Sequence, residues 1–336
     1  VTDIEFLEED HRNSLKHAST FAPLTSINKL EQKKNFGSSK EDSPDHLSVY
    51  GYYDGKIHYR SSCKTRSGNY PYCGELLLPS FSLSKSLVAT VSLALLERDY
   101  PNVMNEKIQE FVPECKQKKW ANVQFKHALN MSTGHYYDKK WYSEDWYLND
   151  KGFSLNYTHK DRIKFSCSVF KKKSDPGLKL SYHSSDTYIL AVALNNFYKS
   201  KTGRDSDVYT DLVLPLWKEL NLSQSTYEIR RSIDNIRQPY MEYGMFLTSD
   251  DLVKIGNFLL KDNDLTQSAV MSDALQKNKN NRGLTAIDNI LFYNNGFWSK
   301  RFNGPSLGCN EDIWIPFMSG FGGITVALLP NSSIYY

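Results

Sequence analysis

No stretch of this 336-residue chain approaches the roughly 20 continuous apolar residues that cross a bilayer, so no transmembrane segment is expected. The longest apolar run, Leu87 to Leu96, contains Thr90 and Ser92 and stops at Glu97, as a helix buried in a soluble protein would. Excess charge is missing too. Lys and Arg number 41 against 38 Asp and Glu, a formal charge of +3. The basic runs Lys116 to Lys119 and Lys171 to Lys173 are short and separate, whereas a nucleic-acid partner needs basic residues massed on one face. HExxH, the P-loop and a GxGxxG after a strand are absent, which removes the common metalloprotease and nucleotide cradles. So is the GxSxG elbow of ordinary α/β-hydrolases. The five cysteines, Cys63, Cys73, Cys115, Cys167 and Cys309, lack CxxC or Cys/His ligand spacing. Neither a metal nor an organic cofactor is therefore expected. The eight histidines are dispersed, and His127 and His135 read as structural.

What is plentiful is aromatic: 22 Tyr and 17 Phe, enough to furnish both a core and a cleft. Glu31 to His46 reads as a polar surface loop. Leu47 to Tyr59 reads as two strands joined at Asp54-Gly55, a pair suited to the positive φ angles of a tight hairpin. Helical spacing follows in four places: after Ser82 (Leu87, Val88, Val91, Leu95, Leu96), over Val123 to Met131, over Thr187 to Lys199, and over Asp207 to Leu220 with a break at Pro215. Thr248 to Lys261 opens on Thr248, Ser249, Asp250 and Asp251, as a helix start should, with Leu252, Ile255, Leu259 and Leu260 as its apolar face. Gln276 to Arg282 reads as an exposed loop, and strand character returns at Ile290 to Trp298 and Ile324 to Leu329. This order predicts an α/β (α+β) protein: a sheet domain from residues 1–81 and 286–336, a mostly helical domain from 82–285, and a cleft between them. The chain begins at Val1 rather than Met and stops in strand-like sequence at Tyr336, so a trimmed start and an incomplete C-terminus are expected. Cys63 and Cys73 flank a turn; a local disulfide and two separate thiols are both open.

A serine hydroxyl attacks a carbonyl at neutral pH only when a nearby base takes its proton. A lysine three residues on lies on the same helix face, and burial makes an amine a better base by disfavouring its charged form. The helix N-terminus adds N–H groups suited to a developing oxyanion. Ser82-Leu83-Ser84-Lys85 meets these conditions. Ser26/Lys29, Ser61/Lys64 and Ser168/Lys171 repeat the spacing but sit in polar or turn-rich surroundings. Spacing alone is a weak signal; context selects Ser82.

That context resembles the serine β-lactamase and penicillin-binding-protein-like hydrolases, above all the branch of class C enzymes, β-lactamase-fold esterases and nylon-oligomer hydrolases. "LPSFSLSKSLVAT" is similar to the family's nucleophile segment. "VQFKHALNMSTGHY" resembles the helix and turn that follow it, and "LSYHSSDTYILAVAL" the Tyr-x-Asn or Tyr-x-Ser element with its helix. "DLVLPLWKELNLS" resembles the Pro-Leu-Gly-Met region, with Trp217 and Lys218 replacing Gly-Met. "YMEYGMFLTSDDLVKIGNFLL", "YNNGFW" and "MSGFGGITVALLP" resemble the return to the sheet and its last strands. The likeness spans about Leu47 to Pro330, and the order of the segments is more specific than any one of them.

The resemblance implies a β-lactamase/transpeptidase-like fold, an antiparallel sheet flanked by helices with a helical insertion. It implies Tyr182 as second acid/base, either as a phenolate near Lys85 or paired with it, with Ser184 holding Lys85 or touching substrate. His183 is a spacer or rim residue. The third element, Lys-Thr-Gly or His-x-Gly in the family, falls on Met318-Ser319-Gly320 and lacks the cation that grips a substrate carboxylate. Ser319 and Gly320 would support substrate. The backbone N–H groups of Ser82 and Phe321 would form the oxyanion hole, or a register within Phe321 to Ile324 would supply the second donor. The expected activity is a serine esterase or amidase working through an acyl-Ser82 intermediate on a small molecule. The alternatives are a penicillin-interacting lactamase or D,D-peptidase and a catalytically silent binding domain. Aromatic residues in Tyr136 to Lys151 (Tyr136, Tyr137, Trp141, Trp146, Tyr147) suggest an aromatic cleft or a packed loop. The family implies a periplasmic or secreted location, and no residue pattern sets an oligomeric state.

Overall fold

The computed structural model describes residues 3–27, 46–138 and 140–336. The polar stretch Glu31 to His46 lies outside the described residues apart from His46, as does Lys29.

Alternating burial along Ile313–Gly320 and Ile324–Leu328 makes these runs strands that face the interior every second residue. Strands β1 (Phe21–Pro23), β2 (Gly51–Tyr53), β3 (His58–Arg60), β8 (Leu284–Ile287), β9 (Leu291–Asn294), β10 (Phe297–Phe302), β11 (Ile313–Gly320), β12 (Ile324–Leu328) and β13 (Ile334–Tyr335) form one sheet. Small ribbons pair β4 (Cys63–Thr65) with β5 (Gly68–Tyr70), and β6 (Leu78–Pro79) with β7 (Phe246–Leu247). The nine-stranded order is β1-β3-β2-β13-β12-β11-β10-β9-β8, antiparallel except for β1 with β3. Its strands thus come from both ends of the chain, as the antiparallel sheet of the expected fold requires. Asp54-Gly55 does turn β2 into β3: Gly55 has φ 95°, and the Asp54 carboxylate accepts the Lys56 and Ile57 N–H groups. The strand character at Ile290 to Trp298 resolves into two strands. Asn295 (φ 45°) and Gly296 (φ 83°) reverse the chain between β9 and β10, the Asn-Gly turn whose twist suits a two-residue hairpin.

Among the described residues the α-helices are α1 (Asp3–His17), α2 (Val91–Asp99), α3 (Ile108–Phe111), α4 (Phe125–Leu129), α5 (Glu144–Asp150), α6 (His159–Ser168), α7 (Ser184–Thr202), α8 (Leu214–Glu219), α9 (Ser249–Leu260), α10 (Asp264–Gln267) and α11 (Ala269–Ala274). Every residue of α7 from Ser185 to Asn195 is buried, so it is the axle of the helical layer rather than an amphipathic surface helix. Leu87, Val88 and Val91 are fully buried, each contributing about 1.5–3 kcal/mol of apolar burial. The Pro215 break is a widened π turn, Tyr209–Val213, just before the proline. In α9, Thr248 and Asp251 cap each other, and the face toward the sheet is Val253, Ile255, Gly256 and Leu259, one step round from the expected stripe. A Cβ on Gly256 would sit 2.6 Å from the end of the buried Ile334 side chain, so a larger residue there would push Ile334 aside where α9 meets β13. No helix among the described residues is long and apolar enough to cross a membrane.

Cys63 and Cys73 are bonded, and so are Cys115 and Cys167, a pair the sequence did not single out; Cys309 is free and exposed. The second bridge ties α6 to the short turn Pro113–Cys115 across 52 residues. Cys115→Ala with Cys167→Ala is expected to cost about 4 kcal/mol, from the loop entropy returned to the unfolded chain, read from urea unfolding as a lower midpoint with a steeper slope. A loss of under about 1 kcal/mol in the unfolding free energy extrapolated to water would show the bridge to be idle.

Candidate active site

The nucleophile segment reaches its place through the ribbon of β6 and β7. Leu78 pairs with Leu247 and Pro79 with Phe246, and the Ser80 N–H donates to the Met245 carbonyl at 2.9 Å. The Met245 N–H donates to Ser84 Oγ at 3.2 Å, so residues 242–245 lie against the start of the helix. Phe81, at φ 44°, takes up the sharp turn into Ser82, a left-handed conformation that is rare for a bulky side chain. Lys85 then opens a π turn, Lys85–Thr90, ahead of α2. That turn is fastened to the β9–β10 hairpin. Ser86 Oγ donates to the Gly296 carbonyl at 2.6 Å, and Thr90 Oγ1 lies 2.7 Å from the Asn295 carbonyl and 3.1 Å from that of Lys85.

Lys85 is 1% exposed, and its ammonium has an acceptor for each of its three protons. Nζ lies 2.8 Å from Ser82 Oγ, 2.9 Å from Ser184 Oγ and 3.3 Å from the Glu242 carbonyl. Tyr182 lies on the same side, its ring centre 5.2 Å from Lys85 Nζ. Burial raises the Tyr182 pKa most; the Lys85 charge lowers it, Asp145 raises it, and hydrogen bonding with Ser82 and Lys85 lowers it, with a net upward shift. The phenolate form considered for Tyr182 is therefore disfavoured by its dry surroundings, and the residue is a phenol beside the amine. Ser82, Lys85, Tyr182 and Ser184 are thus brought together.

The third element is brought to the same place. A Cβ on Gly320 would lie 2.8 Å from the Ser80 carbonyl and 3.0 Å from Leu83, so the end of β11 runs against the nucleophile segment only because residue 320 is glycine. Ser319 pairs with Thr325 one step back. Phe321 follows at the head of the turn, its ring 5.6 Å from that of Phe81. Among the described residues neither the Ser82 nor the Phe321 backbone N–H has a hydrogen-bond partner. Both donors are free for a ligand oxygen.

His183 is not on the rim. It is fully buried, its Nε2 3.1 Å from the His135 carbonyl, and burial holds its pKa down at about 3, so it stays neutral. His127 and His135 serve structure as expected: His127 Nδ1 accepts the Gln124 N–H, and the His135 ring lies tilted against that of Trp120. The other Ser-x-x-Lys serines bond elsewhere, Ser61 to the Ser62 carbonyl and Ser168 to that of Lys164. The aromatic loop divides between the two readings. Trp141 packs into a cluster with Tyr182, Tyr293 and Trp298, and Tyr137 stacks on Tyr147. Trp146 is 67% exposed and faces Phe321, itself 63% exposed, with ring centres 6.2 Å apart.

Two acidic residues were not legible as part of the site. Glu242 offers its carbonyl to Lys85 while its carboxylate pairs with Arg162 at 3.0 Å, both side chains wholly buried. Phe153 and Tyr240 flank the guanidinium at 4.5 and 4.4 Å. Burial pushes Glu242 up to about 7 against the pull of Arg162. Asp145, on α5, accepts from Ser184. No cluster suited to a metal occurs among the described residues.

A family model described as Beta-lactamase matches residues 45–332. Among solved structures, the chain is similar to a Bacillus anthracis protein assigned as a 6-aminohexanoate-dimer hydrolase (TM-score 0.65, 14% identity, 95% of this chain and 81% of that one). It is similar to a penicillin binding protein from Bacillus halodurans (0.63, 14%, 85% and 90%). It is also similar to a D-stereospecific amidohydrolase from Streptomyces sp. (0.54, 16%, 85% and 87%). At these identities the likeness is one of fold. No curated protein sequence matches.

Proposed function

The chain belongs to the beta-lactamase family, and from that premise we propose that it is a serine hydrolase cleaving an ester or amide through an acyl-Ser82 intermediate. The 2.8 Å contact between Lys85 Nζ and Ser82 Oγ carries the reading. Lys85, as the free amine, takes the Ser82 proton while Oγ bonds to the substrate carbonyl carbon. The charge that develops on the carbonyl oxygen meets the N–H groups of Ser82 and Phe321. Tyr182 gives its phenolic proton to the leaving oxygen or nitrogen and is reprotonated by the Lys85 ammonium as that bond breaks. Water then attacks the acyl-Ser82 carbonyl and gives a proton to the same pair, which passes one to Ser82 Oγ as its bond to the acyl carbon breaks, releasing the acid and the free serine.

The substrate class follows from the walls. Met318-Ser319-Gly320 carries no cation, while Phe81, Phe321 and Trp146 form a chain of ring contacts beside Ser82 and Trp141 and Trp298 pack beside Tyr182. These favour an uncharged, apolar acyl or leaving group over a free carboxylate. A silent binding domain is disfavoured because the amine points at the serine. The bonded cysteine pairs support an oxidising compartment, periplasmic or extracellular.

A tagged fluorophosphonate tests the reading, with peptide mapping of the adduct. Labelling at Ser82 and hydrolysis of p-nitrophenyl butyrate are expected, with acylation by a chromogenic cephalosporin at least ~100-fold slower, a loss of about 2.7 kcal/mol of transition-state binding. Absence of any adduct on Ser82 would overturn it, and rapid acylation by the cephalosporin would move the protein to the penicillin-interacting enzymes.

A further inference from the structure

Ser184 stands between two charged groups, and its single hydroxyl proton decides what it can offer each. Its N–H donates to Asp145 Oδ1 at 2.5 Å and its hydroxyl to Oδ2 at 3.1 Å. With that proton committed to the carboxylate, only lone pairs remain for Lys85 Nζ, 2.9 Å away. Ser184 can accept from the amine and cannot donate to it. It therefore favours the ammonium, the state Lys85 reaches after taking the Ser82 proton. Asp145 also sits at the N-terminus of α7, where the exposed N–H groups of a 19-residue helix favour a negative charge.

We propose that Asp145 is a positioning residue: through Ser184 it orients Lys85 and stabilises the ammonium formed as Ser82 attacks. The inference rests on the acyl-Ser82 reading above. The groups facing the carboxylate are Lys85, Tyr182, Tyr293 and Asp186. Burial disfavours the ionised forms of Tyr182, Tyr293 and Asp186, whereas the Lys85 charge favours the Asp145 carboxylate. Burial raises the pKa of Asp145 itself, with Lys85 and then the Ser184 bonds pulling it down.

Asp145→Asn keeps the size and an acceptor oxygen but removes the charge. The test follows the pH dependence of fluorophosphonate labelling and of ester hydrolysis from pH 4 to 10. In Asp145→Asn the acid limb of both profiles is expected to move to lower pH by about one unit, because the charged amine has lost support. The plateau rate should fall about 10-fold, because a less basic amine takes the proton less readily. A purely structural cap would lower the melting temperature and leave the limb in place; that outcome overturns the proposal. Should Asp145→Asn not fold, Ser184→Ala cuts the same link and must move the limb in the same direction, and an unmoved limb again overturns it. If the native protein does not label at Ser82, the functional reading falls and takes this inference with it. If the native protein labels and the variant limb stays put, only the role of Asp145 falls.

Discussion

Ser82→Ala is expected to lower kcat for an apolar ester by on the order of 10⁴-fold or more, to a residue set by oxyanion binding alone. The variant should still bind substrate. Phe81, Phe321 and Trp146 are untouched, and the Phe321 N–H remains where Gly320 sets it, against the Ser80 carbonyl. The amine keeps two of its three acceptors, Ser184 Oγ and the Glu242 carbonyl, so Lys85 has no cause to leave. The measurement is kcat and KM on p-nitrophenyl butyrate with the melting curve in parallel. A variant with full hydrolytic activity would place the nucleophile elsewhere.

Lys85→Ala should cost roughly 10²–10⁴-fold in kcat, the usual share of a general base. Lys85→Arg separates the possible roles of the amine. A guanidinium preserves the positive charge and can reach oxygen acceptors, but it does not give up a proton at neutral pH. If Lys85 acted only as a charge, the arginine variant would retain much of the rate; as a base, it should be as slow as alanine. The alanine variant also leaves a void beside Ser82 and Tyr182, where ethylamine should restore part of the activity as pH rises and the free amine accumulates. Arg-variant activity near the native level would remove Lys85 from the proton path.

The centre of this site was readable because its parts obey short-range geometry. Ser82 and Lys85 are three residues apart at a helix start, so one turn brings hydroxyl and amine to 2.8 Å. Tyr182 and Gly320 are distant in sequence and came from the ordered likeness to a family, which carries three-dimensional information that no single spacing holds. Asp145 had no such mark. Its function depends on a hydrogen bond across 39 residues, and an aspartate in the first turn of a short helix is otherwise unremarkable. Glu242 was hidden for another reason: it touches Lys85 through its carbonyl, an atom every residue has. Cys115 and Cys167 could not be paired because five cysteines permit many connectivities and the intervening helices decide which thiols meet. The Asn295-Gly296 turn lies inside the Ile290 to Trp298 stretch, whose apolar residues carry strand character on both sides of it.

That hairpin has a consequence for how the enzyme can change. The turn bearing the amine is bolted, through Ser86 and Thr90, to two carbonyls of the sheet and not only to the rest of its own helix. Lys85 therefore takes its position from the sheet, while Trp146 belongs to a short helix linked to Lys85 through Asp145 and Ser184. Changes confined to the exposed Trp146 ring can alter which molecules enter while Asp145, on the same helix, keeps its bonds to Ser184. A swap at Gly296 would do the reverse, since any side chain there collides with Thr90 and displaces the anchorage itself.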